Sequence, residues 1–425
     1  MRHSLTGFAI TLSIAFAMTI VSVQEAHAQT YTVLHNFSNG PDGGSPEAML
    51  TRDVAGHLYG TTLLGGSAGY GTVFKVTKDN GSWIFSTIYT FEGDNGNNDG
   101  AAPYARVVIG PNGSLYGTTV AGGGGSGCSN FGAAGCGTIF NLQPPFTVCH
   151  AVNCPWHETV LYRFANGPGG VYPFGGVTFD TAGNIYGTTE LGGIGYDEGT
   201  IYKLTPSGGG WSGSVLYSFQ GSANSGGNPY DGLILDRSGN LYGSTRTNGT
   251  LGSGQGLLFE LSNSGSGWVE NAIYELAGAN GSNPFGGLIF DASGNLYGAT
   301  SCGGSGNGGT VFQLSPSGGG WDFTLLYSFS GDCQWGPADS LTMDSAGNLY
   351  GTTYRDGASG LGSVFKLTHS SGGWTYSDLH DFSGGADGCE PNGGVVVDSQ
   401  DNIYGTTTGC GQYPNQYGTI WEIMP

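Results

Sequence analysis

Few side chains in this sequence carry charge, and very few carry a positive one. Eleven Lys and Arg stand against 31 Asp and Glu, a formal net charge of -20, and only 10% of the 425 residues are charged. Such a chain repels phosphates and anionic headgroups, so nucleic acid and acidic membrane surfaces are excluded as partners. Long apolar runs are equally scarce. One spans Gly7 to Val23 behind Arg2 and His3, and Ala26-His27-Ala28 follows it. Residues 1–28 are therefore expected to be a secretory signal peptide, with the mature chain starting at Gln29. No later segment is apolar and long enough to span a bilayer, and the chain stops at Pro425 without a sorting tail. The expected product is a secreted or periplasmic monomer. Helical periodicity is missing too, since no segment repeats apolar residues at helical spacing over a useful length.

What the chain has instead is glycine, 84 of it, and 12% aromatic residues. Glycine at that level without a three-residue period is compatible with disorder, but disordered chains are poor in aromatics, so a folded, turn-rich chain is expected. The eight cysteines, an even number in an exported chain, are expected to form disulfides.

The phrase GNLYGTT at Gly347 to Thr353 recurs with small changes around Tyr59, Tyr116, Tyr186, Tyr242, Tyr297 and Tyr404. The spacing is about 55 residues except in the second copy, which is stretched by an insert between Gly122 and Pro155. Each copy holds four short segments rich in β-branched and aromatic residues, here strands a to d. In the fifth they are GGLIFD (Gly286 to Asp291), LYGAT (Leu296 to Thr300), TVFQLS (Thr310 to Ser315) and WDFTLLYSF (Trp321 to Phe329). Four antiparallel strands at this period make a β-propeller blade, so residues 29–425 are expected to form an all-β, seven-bladed propeller. The last copy ends after strand c, GTIWEI, while YTVLHNF (Tyr31 to Phe37) matches a spare strand d. The N-terminal strand is expected to complete the last blade and remove two open sheet edges.

The repeated string begins with Asp, two variable residues and Gly-Asn. It runs on through Leu or Ile, Tyr-Gly and Thr or Ser to a final Thr, then a glycine loop and strand c. It resembles the choice-of-anchor tandem repeat GloVer-containing proteins over essentially the whole mature chain. The resemblance implies export and repeat architecture and no particular activity. Members often end in an anchoring segment, from which this sequence departs. The turn into strand b is also similar to that of NHL-type propellers, which supports the fold alone.

Residues present in every copy are expected to be structural. The turn aspartates (Asp53, Asp180, Asp236, Asp291, Asp344, Asp398) suit an Asx-type turn. The tryptophans opening strand d (Trp83, Trp156, Trp211, Trp268, Trp321, Trp374) suit shielding of the outer strand, with sugar-stacking platforms as the functional alternative. The glycine loops before strand c lead into a strand, not a helix, and are not phosphate sites.

Function is expected where the repetition breaks. Strand a lines the channel and offers mostly glycine and alanine at its mouth, with no histidine, so little converging catalytic chemistry is expected there. Arg106, Asp231 and Asp339 are the candidate ligand-binding residues of that region. The two aspartates are able to do acid/base work only if close, and their places in the fourth and sixth blades put them apart. In the d-to-a loops, Asp42, Asp94, Asp99 and Asp387 are candidate Ca²⁺ ligands; they are also ordinary turn residues. No other cofactor is expected. Asp332 and the unrepeated Trp335 are further ligand-binding candidates on the same face. The cysteines are expected to pair Cys128 with Cys136, Cys149 with Cys154, Cys302 with Cys333 and Cys389 with Cys410, a disulfide being favoured over zinc for the segment Cys149 to His157. No residue is assigned a catalytic role. The sequence favours a non-enzymatic scaffold binding an extracellular glycan or surface protein. The alternatives are a polysaccharide-active hydrolase or lyase using top-face carboxylates, and a structural envelope component.

Overall fold

The computed structural model of the protein describes residues 29–93, 98–125, 127–145, 156–221, 225–247, 255–412 and 417–425. The expected signal peptide, Asp94, and the Cys149 and Cys154 pair lie outside the described residues. Seven four-stranded antiparallel sheets follow one another around a ring. Blades 1 to 7 are identified by their b strands, Leu58–Thr62, Leu115–Thr119, Ile185–Thr189, Leu241–Thr245, Leu296–Thr300, Leu349–Thr353 and Ile403–Thr407. Every residue of these strands is buried, which is why the phrase tolerates so little variation.

The polar letters of the phrase and its second glycine each have their own partner. In blade 6 the Asn348 amide donates to Asp344 Oδ2 at 2.7 Å, and the Tyr350 hydroxyl donates to the same oxygen at 3.0 Å. Burial pushes the Asp344 carboxyl up, but these bonds outweigh it and hold the group below the usual carboxylate range. Gly351 has no side chain because a Cβ there would meet the Phe365 ring of strand c at 2.6 Å. Thr352 donates to the Gly393 carbonyl of blade 7, and Thr353 Oγ1 pairs with Ser363 Oγ of strand c at 2.9 Å. The first threonine thus joins blades and the second joins strands.

Blade 7 consists of Val396–Val397, Ile403–Thr407 and Thr419–Met424, completed by Thr30–Asn36. Thr30 stands opposite Met424 and Asn36 opposite Thr419, so both ends of the described chain lie in one sheet. The expected closure is present. Strand a is shorter than the continuous run of apolar residues suggested, two paired residues in each blade, such as Ile289–Phe290 in blade 5. The glycines ahead of it explain the difference. A Cβ on Gly286 would lie 2.2 Å from the Asp339 backbone of the next blade, so this stretch runs against its neighbour instead of extending its own ladder.

The strand d tryptophans sit between blades. Trp83 meets the edge of Tyr404, Trp156 that of Tyr59, Trp321 that of Tyr242 and Trp374 that of Tyr297, with ring centroids 5.7 to 6.1 Å apart. These four wedge a blade against the tyrosine of the one before it. A second ladder runs along the outer strands. His35 stacks on Phe85, Tyr274 on Phe323, Tyr327 on Tyr376 and Tyr31 on His380, at 3.8 to 4.5 Å. Among the described residues, three disulfides join Cys128 to Cys136, Cys302 to Cys333 and Cys389 to Cys410, as the sequence positions predict.

Candidate functional site

Four residues before each strand a, the chain turns into the central channel. The residues there, from blade 1 to blade 7, are Glu47, Tyr104, Phe174, Tyr230, Phe285, Ala338 and Asn392. Aromatics therefore occupy four consecutive blades and polar or small groups the other three. Phe174 stacks on Tyr230 at 4.6 Å, and Tyr104 and Phe285 meet Tyr230 edge-on at 5.8 and 5.3 Å. Arg246, on the loop after strand b of blade 4, covers Phe285 at 4.4 Å and Tyr230 at 5.0 Å, and pairs with Glu190 at 3.7 Å. Opposite the aromatic arc, Asn392 Nδ2 donates to Glu47 Oε2 at 2.8 Å and to the Tyr104 hydroxyl at 3.1 Å.

Just beyond this tier lies a charged belt. Ser340 Oγ donates to Asp231 Oδ2 at 3.1 Å and accepts from Gly287 N at 2.9 Å. Asp339 Oδ1 accepts from Ser340 N at 2.6 Å and its Oδ2 from Gly394 N at 2.8 Å. Arg106 reaches into the same space, where its Nη1 donates to Met49 Sδ at 3.4 Å. Tier and belt line a cavity of about 360 Å³ walled by all seven blades, with Val108, Ile109, Phe179 and Ile234 of the strand a segments among its apolar lining.

This arrangement corrects the expectation that Asp231 and Asp339 stand apart. Residues of alternate blades meet because the intervening chain is Gly286-Gly287, which lets the backbones of blades 5 and 6 touch. Burial raises the Asp339 carboxyl to about 6, with Asp231 adding to the shift, and burial also raises Asp231 against the pull of Arg106. Glu47 is pushed up to about 7 by burial, opposed by the Asn392 amide. The run of aromatics was present in the sequence as Pro103-Tyr104, Pro173-Phe174, Pro229-Tyr230 and Pro284-Phe285. The sequence places these residues at the channel entry of their repeats, but it does not show that their rings pack on one another.

Other candidates lie elsewhere. Trp335 is 38% exposed on the loop between blades 5 and 6 and, like Asp332, does not line the cavity. Asp42, Asp99 and Asp387 prove to be part of the repeat. Each binds the outer-strand ring of its own blade, Asp42 to His35 at 3.1 Å, Asp99 to Tyr89 at 2.6 Å and Asp387 to His380 at 3.0 Å. Each also accepts a backbone N–H of its loop, from Ser38, Glu92 and Ser383. Ser225 holds Tyr217 in the same way in blade 3. These carboxylates anchor loops, and among the described residues no three His, Cys, Asp or Glu side chains gather as metal ligands.

Against known proteins, a family model described as the Gloeobacter/Verrucomicrobia repeat matches residues 14–155, 126–342 and 252–425. No curated protein matches in sequence. Among solved structures, the extracellular domain of a B. thetaiotaomicron protein described as a one-component system aligns at a TM-score of 0.54 and 12% identity. The alignment covers 92% of this chain and 39% of that one. A protein described as a gluconolactonase aligns at 0.35 and 16%, over 59% of this chain and 73% of that one. A Thermus thermophilus protein described as a glucose dehydrogenase aligns at 0.42 and 15%, over 93% of this chain and 100% of that one. At 12% identity the likeness to the B. thetaiotaomicron domain is one of fold.

Proposed function

The chain belongs to the Gloeobacter/Verrucomicrobia repeat family, and from that footing and the chemistry of its channel we propose that it is an extracellular binding module that seats a glycan end in the central cavity. One observation carries this reading. The sevenfold repetition that governs strands b, c and d breaks at the channel tier, where aromatics fill blades 2 to 5 and polar groups face them. Apolar ring faces beside a few planar polar groups suit sugar rings, which have apolar faces and hydroxyl edges. A cavity of about 360 Å³ is near the lower end for small-molecule sites and fits one or two sugar rings. A protein ligand would need a much larger surface than this. Three disulfides suit an oxidising compartment outside the cytoplasm. No helix of the described residues is long and apolar enough to cross a membrane.

A glycan array tests the reading. The chain should retain a subset of glycans without shortening them, and Tyr230→Ala should lower retention at least about tenfold, the loss of one buried aromatic anchor. Retention that survives Tyr230→Ala but is lost in Trp335→Ala would move the site to the exposed loop and refute the channel.

A second reading has its own support. Asp339, raised to about 6 beside Asp231, has the character of a general acid in a hydrolase or lyase. The binding reading is preferred because both carboxylates already hold backbone N–H groups in place. Release of reducing ends from a retained glycan, abolished in Asp339→Asn, would favour the enzyme.

A further inference from the structure

Resting on the channel as a glycan site, we propose that the sugar it takes carries a free protonated amine. The ligand is a hexosamine end, with its ammonium between Asp231 and Asp339, its hydroxyls on Arg106 and its ring against the aromatic tier.

The argument starts from charge. Among the described residues, the titratable or charged groups lining the cavity are Glu47 from blade 1, Tyr104 and Arg106 from blade 2, Tyr230 and Asp231 from blade 4 and Asp339 from blade 6; Arg246, over Tyr230 and Phe285, is paired with Glu190, and Glu390, near Glu47, is paired with Arg355. Blades 3, 5 and 7 contribute Phe174, Phe285 and Asn392, which do not titrate. Three carboxyls thus share one guanidinium. Elsewhere several buried or half-buried carboxylates have a cation of their own: Glu190 has Arg246 at 3.7 Å, Glu422 has Lys78 at 3.6 Å and Asp398 has Arg52 at 3.9 Å. An enclosed carboxylate without a full counter-charge is costly, and the raised Glu47 and Asp339 carboxyls register that deficit. A ligand that brings one positive charge relieves it, a neutral sugar does not, and a uronate adds to it.

Hydrogen-bonding capacity leads to the same ligand. Asp231 takes the Gly232 and Gly287 N–H groups and the Ser340 hydroxyl, and Asp339 the Ser340 and Gly394 N–H groups, which leaves lone pairs on both carboxylates for the N–H bonds of an ammonium. Arg106 has five N–H donors, and Met49 Sδ, a weak acceptor, takes one. A fork so lightly used suits vicinal hydroxyl oxygens. The aromatic tier is contributed by blades 2 to 5 independently of the carboxyls, and it supplies the surface for the ring. A bare metal cation would use the carboxylates and leave Arg106 and the tier without a role.

Calorimetry on the full mature chain with four probes decides the matter: glucosamine, glucose, N-acetylglucosamine and glucuronic acid, each at pH 7.5 and pH 5. At pH 7.5 glucosamine should bind about tenfold or more tighter than glucose or N-acetylglucosamine, and glucuronic acid should give no heat. The preference should shrink at pH 5, where Asp339 has taken up a proton. Asp231→Asn combined with Asp339→Asn should reduce glucosamine to the affinity of glucose. The wild-type pH series carries the same information if that variant fails to fold. Equal affinity for glucose and glucosamine would overturn the amine while leaving the glycan reading intact. No heat from any probe, with a glycan array also blank, would overturn both.

Discussion

Thr352 donates its hydroxyl to the Gly393 carbonyl at 2.9 Å, and Thr61, Thr118, Thr188 and Thr406 do the same to Ala105, Gly175, Asp231 and Ala48. The acceptor in every case is the channel segment of the next blade. One side chain in a repeated phrase therefore sets how closely the channel walls approach, and the phrase affects the site without touching it. Thr352→Val keeps the shape, removes the donor and leaves a buried carbonyl unpaired. The expected loss is about 1–3 kcal/mol of stability, read as a lower denaturant midpoint at unchanged slope. A variant as stable as the wild type would show that this bond contributes nothing. The phrase as a whole is legible in sequence because its partners are local or recur in every copy, whereas its reach into the channel depends on the neighbouring blade.

Along the outer strands, the ring of one blade rests on the next blade, and the contacts are unequal. Aromatics stack at the positions of Phe85, Phe323, Tyr376 and Tyr31, but blades 2 and 4 place Glu158 and Glu270 there. Burial first, and then Asp99, push the Glu158 carboxyl up to about 8, with Arg163 opposing; burial raises Glu270 to about 7 against the Tyr217 bond. Because the folded values exceed the unfolded value of about 4.3, the folded chain holds these protons more tightly. Their contribution to stability is complete below the unfolded value and is lost as pH rises to about 8 for Glu158. Glu158→Gln keeps the neutral form at every pH. Its melting temperature should gain on the wild type by about 1–2 °C between pH 5 and pH 8 and hold that lead above. A difference that does not vary with pH would mean the carboxyl is ionised in the fold throughout. The two interfaces of the N-terminal strand carry histidine in place of tyrosine, His35 and His380, each bound to an aspartate. Sequence periodicity shows that these positions are outer-strand rings. It does not show that each rests on the next blade.

At the scale of the whole ring, closure rests on Thr30–Asn36 pairing with Thr419–Met424. Removing residues 29–38 would open blade 7, bare one edge of the Thr419–Met424 strand and take Phe37 out of its core cluster. The expected result is a lower melting temperature with loss of a single cooperative transition and concentration-dependent association, checked by calorimetry and light scattering. Wild-type melting would mean that the ring does not depend on this strand.

The amino-acid sequence by itself determined the blade count, the strand order, the split seventh blade and three disulfides. All of these follow from short-range patterns, namely turn residues, β-branched runs and cysteines in adjoining loops, that each copy states in full. The channel is a different case. Glu47, Tyr104, Phe174, Tyr230, Phe285, Ala338 and Asn392 occupy one ring of positions in seven blades, and although a proline precedes each of them, that local pattern says nothing of which side chains meet across the ring. Asp231 and Asp339 meet through Ser340 only because glycines let the intervening backbones touch. Likewise the loop aspartates, conspicuous in sequence as possible cation ligands, are held by the rings of their own blades. Tertiary structure decided the site because it depends on the distance across a closed ring, which the packing between blades sets.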